Sequence, residues 1–424
     1  MNAVPLSLLP QTASIAADGS LTIGGCSVAE MAAEYGTPVF IYDETHLRAR
    51  CREAVQAFGH QRAIYATKAF LCTAMARLAY DEGMLLDVAS GGELFIARHA
   101  GVPASALCLH GNNKSVAELR MALSEGVHHI VVDSFDELDR LDALHAEGLP
   151  VPKVLARITP GVHAHTHEFI ATGQDDSKFG FNLGNGDAHR AIDRMRRSPS
   201  VHLVGVHCHI GSNVFEASNF AKAAEVMAGF AAPLDLPELV LGGGLGVAYV
   251  EGEEAPTITQ WGHVLLDACQ ALGVRSAVSV EPGRSIAASA AITVYEVGTV
   301  KDIPGIRTYV SVDGGMSDNP RPVLYGSGYE AFLPRAVAAP RPARARVVGK
   351  HCESGDVLIF DAALPEGVRV GDLLATPVTG AYGLSMASNY NKLTRPPVVF
   401  VADGQHRLVV RRETYDDLVR CDVG

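Results

Sequence analysis

An α/β fold carrying a second, β-rich domain is predicted by three observations. Eight short β-branched apolar runs alternate with helical patterns through the middle of the chain, polar residues stand at the ends of those runs, and after Glu281 strand-like stretches follow one another with little helical periodicity. The first 37 residues include LTIGG, which can add a strand to that second domain. The eight runs are AIYAT before Lys68, MLLDV to Val88, ALCLH to His110, HIVVD to Asp133, VLARI to Ile158, LVGVHCH to His209, LVLGG to Gly243 and AVSVE to Glu281. Between them, SVAELRMALSEG opens with Ser115 and Glu118 in capping-box spacing and closes on Gly126, and SFDELDRLDALHAEG carries Leu138, Leu141 and Leu144 at helical spacing. Such units build either a TIM-type (β/α)8 barrel or a three-layer sandwich, and the count favours the barrel. Beyond it, ITVYEVGTV, TYVSVD, DVLIF, PVVFVAD and HRLVV read as strands of a β-sandwich or barrel-like domain, with PRAVAAPRPARARV (334–347) as a surface connection. The expected division is 1–37 as an N-terminal strand segment joining the β domain, 38–290 as the barrel and 291–424 as the β domain.

Composition narrows the function. The chain has 424 residues, 48% hydrophobic against 19% charged, so a large core is available, and its net charge of −12 without Lys/Arg blocks disfavours nucleic acid as a partner. No apolar stretch is long enough for a membrane span, and MNAVPLSLLPQ lacks the basic start of a secretory signal. The eight cysteines form no CxxC pair, so neither a zinc finger nor a disulfide framework is expected. A cytoplasmic location is the expectation.

In a parallel barrel, side chains at the carboxyl ends of strands converge on one mouth. Here those ends carry Lys68, Asp87, Ser90, His110, Arg157, His209, a glycine cluster and Glu281. Lys68, in the apolar YATKAF, is either a desolvated Schiff-base lysine or a strand-end lysine that snorkels to water. LGGGLG (241–246) presents backbone N–H groups suited to a phosphate, yet fits no GxGxxG register, and no P-loop occurs. In VEPGR, Glu281 suits a protonated ring nitrogen and Arg284 a phosphate or carboxylate, although a Glu and an Arg three apart are also often a surface pair. The histidines of HAHTH (His163, His165, His167) and HCH (His207, His209) invite a metal, but no carboxylate or supporting shell is evident, and none is expected. Cys352, between charged neighbours in KHCESGD, reads as exposed and chemically used.

Taken in order, YATKAF, DVASGGEL, HGNNKS, PGVHAHTHEF, DSKFGF, HCHIGSN, LGGGLG, EPGR, VDGGMSDNPRPVLYG, HCESGD and TGAYGLSMASNYN make the chain, from about Pro38 onward, resemble the diaminopimelate decarboxylase family. These are pyridoxal 5'-phosphate enzymes of the alanine-racemase-like barrel fold. The resemblance implies that Lys68 bonds the cofactor as a Schiff base, His209 stacks on its ring and Glu281 keeps the ring nitrogen protonated. It implies further cofactor contacts from Asp87, Ser212, Gly242, Gly243, Gly244, Pro282, Gly283, Arg284 and Tyr382. The substrate, meso-diaminopimelate, would meet Arg284, Arg321, Tyr325, Glu353 and Tyr382. Cys352 would return a proton to the α-carbon, reaching the site from the partner subunit of a homodimer. The reaction implied releases CO2 and L-lysine, the last step of lysine biosynthesis.

Charge supports that substrate: a far end that is itself an amino acid needs a cation such as Arg321 for its carboxylate and an anion such as Glu353 for its ammonium. Competing readings are a decarboxylase of another basic or D-configured amino acid on this fold, and a non-catalytic pyridoxal-phosphate carrier, which would not need HCESGD. A racemase of this fold would set an Arg, not Glu281, against the ring nitrogen. Phe70, Gly383 and Leu384 depart from the family's usual pattern at positions with no assigned chemistry.

Overall fold

The structure, a computed structural model, describes residues 3–162, 174–209 and 211–424. The chain divides into two compact units, one of Arg50–Gly246 and Ala255–Ser285, the other of Met1–Ala49, Val247–Glu254 and Ile286–Gly424.

The first unit is the barrel. Its eight parallel strands run, in sheet order, Ala277–Ser279, Glu238–Val240, His202–His207, Lys153–Thr159, His129–Val132, Leu107–Leu109, Leu85–Val88 and Ile64–Ala66, with the short strand Phe181–Asn182 beside Lys153–Thr159. The ring closes between its ends at the Ala63–Val280 bridge, where Ile64 N–H donates to the Val280 carbonyl at 2.8 Å and Val280 N–H to that of Arg62 at 2.9 Å. All eight predicted runs are barrel strands, which resolves barrel against sandwich. The helices between them start and stop where their chemistry dictates. Ser115 and Glu118 form a reciprocal capping box, Gly126 ends the helix at φ 73°, and Leu138, Leu141 and Leu144 bury one face of Phe135–Ala146.

The second unit is built on a mixed eight-stranded sheet. Its path is Val357–Leu364, Ala343–Val348, Arg307–Val312, Ala291–Ile303, Val39–Asp43, Val398–Ala402 and Gln405–Val410, with Leu373–Pro377 also on Ala291–Ile303. Two expectations are corrected here and one is met. The strand Val39–Asp43, buried along its whole length, pairs with Ala291–Val294 and Val398–Val401, so neither 38 nor 290 is a boundary of the barrel. LTIGG does join this unit as a strand, in a separate sheet: Leu21–Ile23 is the centre of a three-stranded sheet whose Leu21 and Ile23 pack into a common core with Ile41, Ile292 and Val399. The segment 334–347 is not a surface connection. Arg341 is 1% exposed, donates to Glu330 Oε2 at 2.5 Å and to the Ala331 carbonyl, and leads into the strand Ala343–Val348. No helix among the described residues is long and apolar enough to cross a membrane.

Candidate active site

Closure of the barrel sets the first and last strand ends side by side. Ala66 N–H donates to the Pro282 carbonyl at 3.2 Å, and a Cβ on Gly283 would lie 3.0 Å from that of Ala66 and 3.2 Å from that of Ala69. Glycine there lets EPGR lie close on the turn Thr67–Ala69 that carries Lys68. Thr67 Oγ1 fixes the same turn to the Asp87 carbonyl at 2.6 Å. Lys68 itself is exposed while Thr67 and Ala69 are buried. Phe70 is a core side chain whose carbonyl accepts from Tyr65 Oη at 2.8 Å.

Glu281 is the electrostatic centre of this mouth. Its Oε2 accepts from His207 Nε2 at 3.0 Å, and its Oε1 lies 3.3 Å from His110 Nε2, which is also 3.0 Å from Asp87 Oδ1. Burial alone would raise the Glu281 pKa, but His207 and His110 override it and hold the carboxylate well below its usual range. Burial, with Glu281 nearby, pushes Asp87 up to about 6. Burial opposes charge on His110, yet Asp87 and Glu281 prevail and push it up to about 9. His207 is lowered by burial and donates as a neutral ring. His209 is held well below its usual value by burial and then by Lys68 and Arg157. Its Nδ1 accepts from Gly243 N–H at 3.2 Å, which puts the proton of the neutral ring on Nε2.

The glycine run is required by packing. A Cβ on Gly242 would lie 2.4 Å from the Cys208 carbonyl oxygen, on Gly243 2.1 Å from that of Glu281, and on Gly244 2.1 Å from that of Gly211. Those contacts draw the loops bearing His209 and Glu281 onto one turn. Gly243 N–H is taken by His209, whereas the N–H groups of Gly242 and Gly244 make no hydrogen bond among the described residues. Beside them Arg284 Nη2 donates to Ser212 Oγ at 2.8 Å. Two N–H groups, a hydroxyl and a guanidinium form a donor set for a phosphate dianion. Buried Glu281 Oε1, whose polar neighbour among the described residues is His110 Nε2 at 3.3 Å, keeps lone-pair capacity to accept from a ring N–H. The residues present therefore fit pyridoxal phosphate.

The remaining predicted residues belong to the other unit. Arg321, 4% exposed, donates to Tyr329 Oη at 2.6 Å and lies 4.3 Å from the Tyr249 ring centroid, with no carboxylate paired to it among the described residues. Its loop is fixed by two carboxylates. Asp318 accepts from Tyr295 Oη at 2.6 Å and Gly315 N–H at 2.7 Å, and Asp356 from Met316 N–H at 2.6 Å and His351 N–H at 2.9 Å, so Asp356 ties the Arg321 loop to HCESGD. Cys352 and Glu353 are exposed, Cys352 N–H donating to Asn391 Oδ1 at 2.9 Å. Tyr325 and Tyr382 are half-buried. Tyr382 and Val378 adopt φ of 62° and 60°, a conformation costing each about 1–3 kcal/mol. Gly380 fits between them only because it has no Cβ, which would lie 1.9 Å from the Ala287 carbonyl oxygen.

Sequence reasoning did not pair His110 or His207 with Glu281; their places at strand ends were the available signal. That pairing also corrects the expectation that HCH has no carboxylate nearby. His110, His207 and Glu281 are a donor set by residue type, but the charge on His110 opposes ligation. His128, His129 and Glu238 form a second set at the amino ends of the strands, where Arg62 and Lys153 act on His128 and oppose a cation. His163, His165 and His167 lie outside the described residues.

Residues 44–288 match the family described as "Pyridoxal-dependent decarboxylase, pyridoxal binding domain". The diaminopimelate decarboxylase of Mycobacterium tuberculosis is 46% identical, covering 96% of this chain and 95% of its own, and that of Bacillus subtilis is 46% identical with the same coverage. The crystal structure of diaminopimelate decarboxylase from M. jannaschii in co-complex with L-lysine superposes with a TM-score of 0.90 at 32% identity, covering 98% of each chain.

Proposed function

The chain belongs to the diaminopimelate decarboxylase family of pyridoxal-phosphate-dependent carboxy-lyases, and from that membership we propose that it converts meso-diaminopimelate to L-lysine and CO2 with the residues described above. The observation that carries the substrate assignment within this family is Arg321. A buried guanidinium stacked on tyrosine, with no carboxylate paired to it among the described residues, calls for an anionic ligand group, and the far carboxylate of diaminopimelate is one.

Bound pyridoxal phosphate supplies an electron sink for the pair left on the α-carbon when CO2 departs. Lys68 would hold the cofactor covalently, and its exposed amine is free to exchange with the substrate's. Ser212, Arg284, Tyr382 and the N–H groups of Gly242 and Gly244 would take the phosphate, with Gly243 acting through His209 instead. His209 would lie flat on the ring as a neutral imidazole. Glu281, kept ionised by His207 and His110, would hold a proton on the ring nitrogen, and Asp87 supports that cluster. Pro282 and Gly283 serve by packing on the Lys68 turn. Arg284, Arg321, Tyr325 and Tyr382 would meet substrate carboxylate and Glu353 its far ammonium. Cys352 would return the proton to the α-carbon, given from the partner subunit of a homodimer. A cytoplasmic location fits a chain whose eight cysteines are all free.

The deciding assay sets wild type beside Lys68→Ala with meso-diaminopimelate, L-lysine and L-ornithine as substrates. Wild type releases CO2 from diaminopimelate alone, and its visible absorbance is abolished by borohydride reduction; Lys68→Ala does neither. Release of CO2 from ornithine but not diaminopimelate would overturn the substrate assignment.

A further inference from the structure

We propose that His110 is a positioning residue for Glu281: a fixed cation between two buried carboxylates that keeps Glu281 ionised and aimed at the ring nitrogen. The proposal rests on the assignment of Glu281 to that nitrogen. Nothing in the sequence motifs gave His110 this role, and the geometry points to it.

His110 follows the third barrel strand, its N–H donating to the Val88 carbonyl at 2.8 Å, so its backbone is tied to the strand that carries Asp87. From there Nε2 reaches Asp87 Oδ1 at 3.0 Å and Glu281 Oε1 at 3.3 Å, and among the described residues these three buried atoms have no other polar partner. They are held by charge and converge on one point. The groups that act on His110 are Asp87 from the second strand and Glu281 after the last, and its ring meets that of His207 edge-on with 5.1 Å between centroids; Asp87 and Glu281 also act on Cys108, Lys68 acts in turn on Asp87, and Arg157 on His207.

Two carboxylates this close to one buried nitrogen cannot both stay ionised without a cation between them; one would take up a proton. Should Glu281 take it, the residue stops being an anionic acceptor for a protonated ring nitrogen. His207 also lowers Glu281 and donates a hydrogen bond to it, but burial lowers the pKa of His207 itself and so opposes the charge it would need, whereas that of His110 is raised. His110 is the group whose charge is supported by both acids at once. The sign of the pH dependence follows. A histidine whose folded pKa is raised stabilises the fold fully below its unfolded value and loses that contribution as pH rises to the folded value, here from about 6.5 to about 9.

The test uses the full-length apoenzyme of wild type, His110→Ala, His110→Lys and the double variant His110→Ala/Asp87→Asn. Pyridoxal phosphate affinity is measured by absorbance titration, and histidine protonation by NMR on 13C-labelled apoenzyme. Expected results are an imidazolium in wild type that persists toward pH 9 and is missing in His110→Ala, with cofactor affinity about tenfold or more weaker in that variant. Affinity returns in the double variant, where a single carboxylate no longer needs the cation, and in part in His110→Lys, which also serves if His110→Ala does not fold. A folded His110→Ala that binds as wild type does, or a double variant no better than the single one, would overturn the proposal. Wild type that binds no pyridoxal phosphate would instead overturn the reading of the site on which it rests.

Discussion

Arg321 and Lys68 are both cations that the motifs singled out, and they ended in opposite environments. Lys68 is exposed on a one-turn helix, whereas Arg321 is buried against Tyr329 and Tyr249. The residue types were legible because a strand-end lysine and an arginine among glycines and prolines have few structural uses. Their burial was not, because it depends on Tyr249, which joins this unit through the excursion Val247–Glu254. A buried charge retained without an opposite partner is a cost to stability, which makes Arg321→Leu informative. That variant should raise KM for diaminopimelate by about 30- to 150-fold, the loss of one charge-assisted contact, with kcat nearly unchanged. Its melting temperature should hold or rise. Unchanged KM with a lower melting temperature would assign Arg321 to structure rather than to substrate.

At the scale of elements, local pattern was sufficient wherever the partners of a strand are its own neighbours in sequence. The barrel strands are of that kind, since each pairs with one before or after it through a short helical crossover. Val39–Asp43 is not. Its five buried residues are not among the eight runs yet fall inside the expected barrel range 38–290, and only the distant segments Ala291–Val294 and Val398–Val401 show where it pairs. Arg341 misled for the same reason: a Pro- and Arg-rich stretch looks solvated until Glu330 is found beside it. Glycines were more telling than their conformations alone suggest. Gly243 and Gly283 both hold strand ends together, yet the clearances differ: an added methyl meets the Glu281 carbonyl oxygen at 2.1 Å in one case, and the Ala66 carbonyl oxygen and the Ala66 and Ala69 methyl groups at 3.0–3.2 Å in the other. Gly243→Ala must therefore displace the backbone bearing Glu281, while Gly283→Ala needs a shift of tenths of an ångström. Cofactor titration and thermal melts should rank Gly243→Ala far below Gly283→Ala, with a loss of about 1–3 kcal/mol or more for the first. Equal behaviour would mean that the glycine run is a turn with no bearing on Glu281.

For the whole molecule, the predicted residues fall into two sets that the fold assigns to different units, Lys68, His209 and Glu281 to the barrel, Arg321, Cys352, Glu353 and Tyr382 to the other. The motif order already implied two such sets; which copy of the chain completes which site is a property of the assembly. Mixing chains reads that property directly. If Cys352 serves the partner's Lys68 site, a dimer of one Lys68→Ala chain and one Cys352→Ala chain holds one site with both changes and one with neither. Statistical exchange of equal amounts makes half the dimers mixed, so about a quarter of wild-type activity should return from two inactive proteins. If instead each chain completes its own site, every site in every mixed dimer keeps one change and nothing returns. Verified exchange, followed by mass spectrometry of isotope-labelled chains, without recovery of diaminopimelate decarboxylation would therefore place Lys68 and Cys352 of each site on the same chain.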